Sequence, residues 1–263
     1  MSYKRINKSI SGIKDRNSSI YKSNDKVFIR RRKMDFTDFI WYIIMQKGRT
    51  TSMELDEYLK NKNDTYEISI SKQAFSKQRK NLKPQIFIDI YKDYLIDFYH
   101  NYPEEVNKFK GYTVCAIDGS MFEIPNTKEL REKYKTQKNS SGDRESARAR
   151  VSGIYDVENG FMIDALIRDC GEGEKKLAKE NIENAAKILN LEDCIIIFDR
   201  GYPGIDLIWY LEKRKIKYIF RLQTKMYEKE KDTMQTEDEW IALNISEERL
   251  RKITDKKTKD IKC

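Results

Sequence analysis

Residues 194–203 read CIIIFDRGYP, an apolar run typical of a buried strand that ends at Asp199 and is followed by glycine and proline. Residues 113–120, TVCAIDGS, have the same form, and their apolar run ends at Asp118. Carboxylates at the ends of neighbouring strands in one sheet can lie close enough to share metal ions. We therefore predict that Asp118 and Asp199 form a functional pair. The alternative is that each aspartate simply belongs to a turn.

The segments around these two strands predict an α/β fold with a mixed sheet. Residues 126–149 are polar and charged around SSG at 140–142, which predicts a surface loop. The predicted elements, in order, are a strand over 113–117, a hairpin of residues 150–155 and 161–167 that turns at 158–160, a helix over 174–189, a strand over 194–198, a helix that ends at Leu211, and a strand over 218–222.

Further upstream, the spacing of apolar residues predicts a small all-α region of the helix-turn-helix kind. Helices are expected from Phe36 to near Gly48, from Thr51, from Ser71 to Leu82, and after Pro84. The third of these is basic, and in a helix-turn-helix the third helix lies in the major groove of DNA. An ordinary surface helix with a charged face is the alternative. The candidate DNA-binding residues on this helix are Lys72, Lys77, Arg79 and Lys80.

Basic charge is concentrated at the amino terminus. The chain has a net charge of +9, and residues 1–33 account for all of it with eleven Lys or Arg and two Asp. Residues 1–25 lack a sustained apolar period and predict a basic, flexible arm. Such an arm suits contact with a phosphate backbone, although the charge alone equally fits a solvated tail. The run that follows the arm adds the candidate DNA-binding residues Arg30, Arg31, Arg32 and Lys33.

The counts of histidine and cysteine exclude several kinds of chemistry. His100 is the only histidine, so a Ser-His-Asp or Cys-His centre cannot form within this chain unless it uses His100. The four cysteines are widely spaced and include no CxxC pair, which argues against a zinc site. Carboxylates with metal ions are the natural chemistry that remains. The sequence shows neither a signal peptide nor a membrane-length apolar run, which predicts an intracellular, cytoplasmic protein.

Taken together, these segments resemble the DDE transposases of the insertion-sequence-four type. The resemblance spans roughly residues 26–225, and its most specific part is DRGYP at 199–203. It implies a ribonuclease-H-like core in which Asp118 and Asp199 are the first two members of the catalytic triad and two Mg²⁺ or Mn²⁺ ions are the cofactors. The other matching segments are FIRRRK at 28–33, SKQAFSKQR at 71–79, DGS at 118–120, RVSGIYD at 150–156, EKKLA at 174–178 and FRL at 220–222.

The resemblance also implies an activity and partners. Such enzymes hydrolyse DNA at transposon ends and then use the freed 3′-hydroxyl to attack target DNA. Arg200 and Arg221 are candidates for contacting DNA phosphates, while pairing with a neighbouring carboxylate is the alternative for Arg221. The expected partners are transposon-end DNA and either a second copy of the chain or a full-length transposase, in a nucleoid-associated location.

One part of the family pattern has no match in this sequence. The third catalytic acid is expected as the Glu of a Tyr-x2-Arg-x3-Glu-x6-Lys pattern on a carboxy-terminal helix, and no segment fits it. We therefore expect a shortened transposase with a flexible arm over 1–25, a helical DNA-binding region over 26–103 and a core over 108–263 that is incomplete at its carboxy-terminal end. The alternative is a catalytically inactive DNA-binding regulator that inhibits an intact transposase through mixed dimers.

Overall fold

The structure is a computed structural model that describes residues 3–15, 18–29, 33–62, 69–138 and 145–243. Its internal contacts divide the chain into two compact units, Met1–Asn101 and Tyr102–Cys263. Arg30, Arg31 and Arg32 of the predicted DNA-binding set lie outside the described residues, and so do residues 139–144 within the predicted loop. Within the described ranges, no helix is long and apolar enough to cross a membrane.

The amino-terminal unit is built from helices, which confirms the predicted all-α region. A short 3-10 helix, Ser18–Tyr21, follows the first α-helix. The α-helices are α1 (Tyr3–Asp15), α2 (Phe36–Ile44), α3 (Thr51–Lys62), α4 (Lys72–Arg79) and α5 (Gln85–Asn101).

Capping and aromatic packing fix helices α2 and α4 in the amino-terminal unit. Helix α2 begins with a capping box, in which the side chains of Asp35 and Asp38 each accept a hydrogen bond from the other's backbone N–H. Helix α4 begins at Ser71, whose side chain accepts a hydrogen bond from the Ala74 N–H. The rings of Phe39 and Phe75 stack with centroids 5.1 Å apart in the core. Helix α4 is therefore held by its one buried aromatic residue and exposes its polar face.

Helix α1 lies where the sequence predicted a flexible arm. Ile6, Ile10 and Ile13 are buried, and they are spaced four and three residues apart, so they lie on one face of the helix. Helix α1 packs against α5, and Lys8 donates a hydrogen bond to the Asp97 carboxylate at 2.6 Å. The intervening polar and charged residues hid this short apolar stripe in the sequence.

The carboxy-terminal unit contains a mixed sheet with helices against it. Its strands are β1 (Thr113–Glu123), β2 (Thr136–Lys138), β3 (Glu145–Asp156), β4 (Phe161–Asp169), β5 (Cys194–Phe198) and β6 (Lys217–Phe220). Its α-helices are α6 (Lys128–Tyr134), α7 (Glu174–Ala185), α8 (Ile205–Lys213) and α9 (Glu228–Lys231), and short 3-10 helices lie at Pro103–Glu105 and Leu191–Asp193.

The strand order gives the sheet its class. Strand β3 pairs antiparallel with β1, β2 and β4, whereas β5 pairs parallel with β1 and β6 pairs parallel with β5. An antiparallel part, β4-β3-β1, is therefore continued by the parallel strands β5 and β6. Helix α7 lies between β4 and β5 in the chain, and α8 lies between β5 and β6. This arrangement confirms the predicted α/β fold class, a ribonuclease-H-like mixed sheet with flanking helices.

Several predicted boundaries differ from the structure. The helix predicted over 174–189 ends at Ala185, and the strand predicted over 218–222 is Lys217–Phe220. Two larger differences lie near Asp118. Strand β1 continues to Glu123, six residues beyond the predicted end at Ile117, because β3 pairs with it along the whole extension. The predicted surface loop over 126–149 contains helix α6, which begins at the Thr127 cap, as well as strand β2 and the start of β3. Helix α6 and strand β2 are short and largely exposed, and the residues buried at the start of β3 are the small Ser146, Ala147 and Ala149, so this stretch lacks a pattern of large apolar residues.

Helix α7 is anchored to the sheet by a buried polar cluster. Asn181 is fully buried, and its Oδ1 accepts a hydrogen bond from the Ser152 hydroxyl at 2.6 Å. Its amide donates to the Asp164 carboxylate at 2.9 Å. On the same side of the helix, Leu177 and Ile182 are fully buried. These contacts fix helix α7, whose first residue is Glu174, relative to β3 and β4.

Candidate active site

The sheet brings Asp118 and Asp199 to corresponding positions on adjacent strands. Strands β1 and β5 are parallel, and their last paired residues are Ile117 and Phe198, so the two aspartates come one residue later. Neighbouring strands lie roughly 4.8 Å apart. Ile117 and Phe198 are buried while Asp118 and Asp199 are exposed, as expected if the two aspartates project away from the face that packs against the core. The structure therefore brings this predicted pair together.

The two aspartates differ in how their backbones are held. Asp118 lies inside β1, opposite Gly153 of β3, and its Oδ1 accepts a hydrogen bond from the Gly119 N–H at 2.8 Å. Asp199 comes after the end of β5 and begins a turn, in which its carbonyl oxygen accepts a hydrogen bond from the Tyr202 N–H at 3.1 Å. Beyond Asp118, strand β1 therefore runs past the end of β5, alongside this turn.

Two arginines lie near Asp199. Arg221 Nη1 is 3.6 Å from Asp199 Oδ1, which is the pairing expected as the alternative for this arginine. Both side chains of that pair are more than half exposed, so water screens the attraction and its contribution to stability is small. Arg200 is exposed in the turn, and its carbonyl oxygen accepts a hydrogen bond from Gln223 Nε2. Contact of either arginine with DNA stays a prediction.

A third carboxylate, from Glu174, approaches the strand that carries Asp118 and the turn that carries Asp199. Its Cγ is 3.5 Å from the position that a Cβ at Gly119 would occupy, and its Oε2 is 3.5 Å from the corresponding position at Gly201. The absence of a side chain at both glycines leaves the space that Glu174 fills. Glu174 also forms an ion pair with Arg150 of β3. In the sequence, Glu174 was only part of a matching segment, and the one local signal for it is an acidic residue in the first turn of a helix.

The Tyr202 hydroxyl points into the same space. Tyr202 is 2% exposed, and its hydroxyl is 3.3 Å from the Cβ position at Gly119. Within the described part of the chain, this hydroxyl is buried without a hydrogen-bond partner. Burial raises the pKa of Tyr202 above its ordinary value, and the nearby Glu174 and Asp118 carboxylates raise it further. A buried, unpaired hydroxyl among carboxylates indicates a site with unused hydrogen-bonding capacity.

The carboxylates near Asp118 do not form a preassembled metal site among the described residues. Among the described residues, no group of three or more His, Cys, Asp or Glu side chains is placed to hold one metal ion together. The Glu174 carboxylate is engaged with Arg150, and the Asp199 carboxylate lies beside Arg221. The site therefore offers one pair of neighbouring carboxylates, with a third carboxylate close by.

Four of the predicted DNA-binding residues of the amino-terminal unit lie on helix α4 or at its C-cap. Lys33 is exposed too, and its Nζ donates a hydrogen bond to the Ser69 carbonyl oxygen at 2.8 Å. Because Phe75 alone anchors α4 in the core, the basic side chains of this helix project into solvent. The exposed cations of α4 and its C-cap are Lys72, Lys77, Arg79 and Lys80.

The sheet order and the two aspartates define a ribonuclease-H-like domain with one acidic residue inside β1 and the other directly after the neighbouring β5. A family model described as "Transposase DDE domain" matches residues 109–262, more than half of the chain. The chain belongs to this family. Comparison with curated proteins gave no significant match.

Several solved structures share low similarity with the chain. The piggyBac transposase of a synaptic complex with hairpin DNA has 11% identity and a TM-score of 0.42, over 85% of this chain and 48% of that one. The Drosophila P element transposase of a strand transfer complex has 9% identity and a TM-score of 0.38, over 81% and 48%. A pre-cleavage Mos1 transpososome gives 10% identity and a TM-score of 0.30, over 77% and 64%. The chain thus spans about half the length of the first two proteins.

Proposed function

We propose that this chain is a transposase of the insertion-sequence-four type that cleaves and joins DNA in cut-and-paste transposition. Asp118 and Asp199 are two of its catalytic carboxylates in this proposal. The observation that carries it is the pairing of β1 with β5, which sets the two aspartates side by side in a Transposase DDE domain. An accidental pair of turn residues has no reason to occupy matching positions on adjacent strands.

The side chains at this position suit hard divalent cations. Asp118 and Asp199 are exposed, and carboxylate oxygens are the ligands that Mg²⁺ and Mn²⁺ prefer. The unpaired Tyr202 hydroxyl shows that hydrogen-bonding capacity is left unused beside them. Two bound divalent cations would stabilise the attacking and leaving oxygens of phosphodiester chemistry.

The other residues of the site position and neutralise the DNA strand. Gly201 lets the backbone of the turn approach a nucleic-acid strand closely. Arg200 is exposed in the same turn and Arg221 lies beside Asp199, so both are placed to pair with phosphate oxygens. Pairing of Arg221 with a phosphate would release Asp199, whose carboxylate then becomes available as a ligand.

The amino-terminal unit supplies DNA binding in this proposal. Phosphate contacts dominate the affinity of a protein for DNA, and exposed lysines and arginines provide them. The basic residues of α4 are exposed, as such contacts require. The partner is DNA from the ends of the element that encodes the chain, and a second copy of the chain is the expected protein partner.

Cleavage of element-end DNA tests the proposal. Purified chain is incubated with a labelled duplex that contains the DNA flanking the coding sequence, with Mg²⁺, with Mn²⁺ or with chelator. We expect nicks that require a divalent cation and that Asp118→Asn and Asp199→Asn abolish while binding to the duplex persists. Cation-dependent binding or nicking that both variants retain refutes the assignment of the two aspartates. Specific binding without nicking by the unmodified chain favours a regulator that occupies element ends.

A further inference from the structure

We propose that Glu174 is a third acidic residue of the cation site, and that it exchanges its ion pair with Arg150 for the bound cation. The inference rests on the proposed cation site at Asp118 and Asp199. It adds Glu174, from the first turn of α7, to the site. It also identifies Arg150 as the group that pairs with the Glu174 carboxylate when no cation is bound.

The position of Glu174 is the first argument. Its side chain lies between Gly119, which follows Asp118, and Gly201, which is two residues after Asp199. It therefore approaches both aspartate-bearing segments from a single point. Helix α7 cannot easily move away, because Asn181, Leu177 and Ile182 anchor it to the sheet.

The Tyr202 hydroxyl is an independent second observation. Tyr202 is 2% exposed, so its hydroxyl is removed from bulk water, and it has no hydrogen-bond partner among the described residues. A buried hydroxyl without a hydrogen-bond partner is destabilising, so the site gains stability when a partner is supplied. A rearrangement that moves the Glu174 carboxylate or a cation-bound water toward Gly119 would supply the missing partner, because the hydroxyl lies 3.3 Å from the Cβ position there.

The ion pair with Arg150 accounts for the absence of a preformed three-carboxylate group. A carboxylate near two others is repelled by them, so a cation must balance it. Arg150 provides that charge here, and its side chain is 19% exposed. A divalent cation bound at the aspartates would compete with Arg150 for the same carboxylate.

The two partners of this ion pair give a sharp test, because removing either one breaks the pair. Binding of Mn²⁺ to the full chain is measured by the loss of the free-ion signal in electron paramagnetic resonance. We expect Glu174→Gln to weaken binding about tenfold to a hundredfold. We expect Arg150→Gln to tighten binding, since it removes the competitor and leaves the carboxylate. A purely structural ion pair predicts that the two substitutions change binding in the same direction, and that result overturns the proposal.

Glu180→Gln is the matched control. Glu180 lies on the same helix, and it is similarly exposed and also forms an ion pair with an arginine, Arg168. Its substitution should leave Mn²⁺ affinity unchanged. A thermal melt of each variant confirms folding, and Glu174→Asp provides a second variant that keeps the charge and should bind more tightly than Glu174→Gln.

The outcomes separate this proposal from the one it rests on. If Asp118→Asn and Asp199→Asn leave Mn²⁺ binding unchanged, the cation site itself is refuted and Glu174 with it. If those two variants weaken binding while Glu174→Gln behaves like Glu180→Gln, the cation site stands and only the role of Glu174 is refuted.

Discussion

Removal of the Asn181 side chain should selectively weaken the attachment of helix α7 to the sheet. In Asn181→Ala, the buried Ser152 hydroxyl loses its acceptor at 2.6 Å and Asp164 loses a donor at 2.9 Å. An orphaned buried hydroxyl costs about 1–3 kcal/mol, and a hydrogen bond to a charged group contributes about 1.5–3 kcal/mol. Asp164 keeps the Asn184 amide at 3.1 Å, which reduces the second loss. We expect the free energy of unfolding to fall by about 2–4 kcal/mol.

Urea unfolding followed by circular dichroism measures this change. With a slope of about 2 kcal/mol/M, the midpoint should fall by roughly 1–2 M while the slope stays constant. Asn184→Ala is the control, since Asn184 is only half-buried and donates to the same carboxylate. Asn184→Ala should lower the free energy of unfolding by less than about 1 kcal/mol, because the Asn181 amide still donates a hydrogen bond to Asp164. Equal midpoints for the two variants would show that the buried Asn181 cluster does not hold α7.

Three further predictions follow from other parts of the molecule. The hydrogen bond from Lys8 lowers the pKa of Asp97. The ionised Asp97 therefore stabilises the fold at pH values above the ordinary carboxyl pKa, and this stabilisation is lost as the pH falls through the lowered pKa of Asp97. Lys8→Met should therefore lower the free energy of unfolding at pH 7 by up to about 1 kcal/mol. Thermal melts should show that the difference between the variant and the unmodified chain disappears in acid. A difference that is equal at every pH contradicts the role given to the Lys8–Asp97 pair. The double substitution Lys77→Ala and Arg79→Ala should weaken DNA binding and reduce the slope of log affinity against log salt by about two, as measured by fluorescence anisotropy. Lys60→Ala on α3 is the control and should change neither quantity. An unchanged slope in the double variant argues against phosphate contacts on α4. Gly119→Ala puts a Cβ 3.3 Å from the Tyr202 hydroxyl and 3.5 Å from Glu174 Cγ, so it should slow cation-dependent nicking about tenfold or more with little change in melting temperature. Its control is Gly12→Ala in helix α1, where the new Cβ meets no atom within 4 Å among the described residues. Equal nicking rates in the two variants would contradict the prediction.

The central strands could be predicted because each begins as a continuous apolar run. Residues 194–198 form β5 as predicted, and the turn at 157–160 separates β3 from β4 where the sequence placed the hairpin. Asp118 and Asp199 were identified as a pair because each follows such a run, and the pairing of β1 with β5 sets them side by side. A continuous apolar run carries enough local information for its strand.

Other features depend on contacts that the local sequence does not encode. The second half of β1 is mostly exposed, and only pairing with β3 makes it a strand. Helix α1 depends on Ile6, Ile10 and Ile13 meeting α5, which is distant in the sequence. The approach of Glu174 to Gly119 and Gly201 joins three segments that are far apart in the chain, so no local motif could reveal it.

The unequal lengths of β1 and β5 have a mechanical consequence. Pairing with β3 is continuous from Cys115 to Glu123, so the backbone at Asp118 is clamped on both sides of that residue. Asp199 lies at the start of a turn, one residue after the strand pairing of β5 ends at Phe198, and the turn is held by side-chain hydrogen bonds from Gln223 and Lys175. The backbone of Asp118 is therefore restrained by strand pairing, whereas the backbone of Asp199 is restrained by the contacts of its turn. We therefore expect an adjustment of the gap between the two carboxylates to involve the turn over 199–204 rather than the backbone of β1.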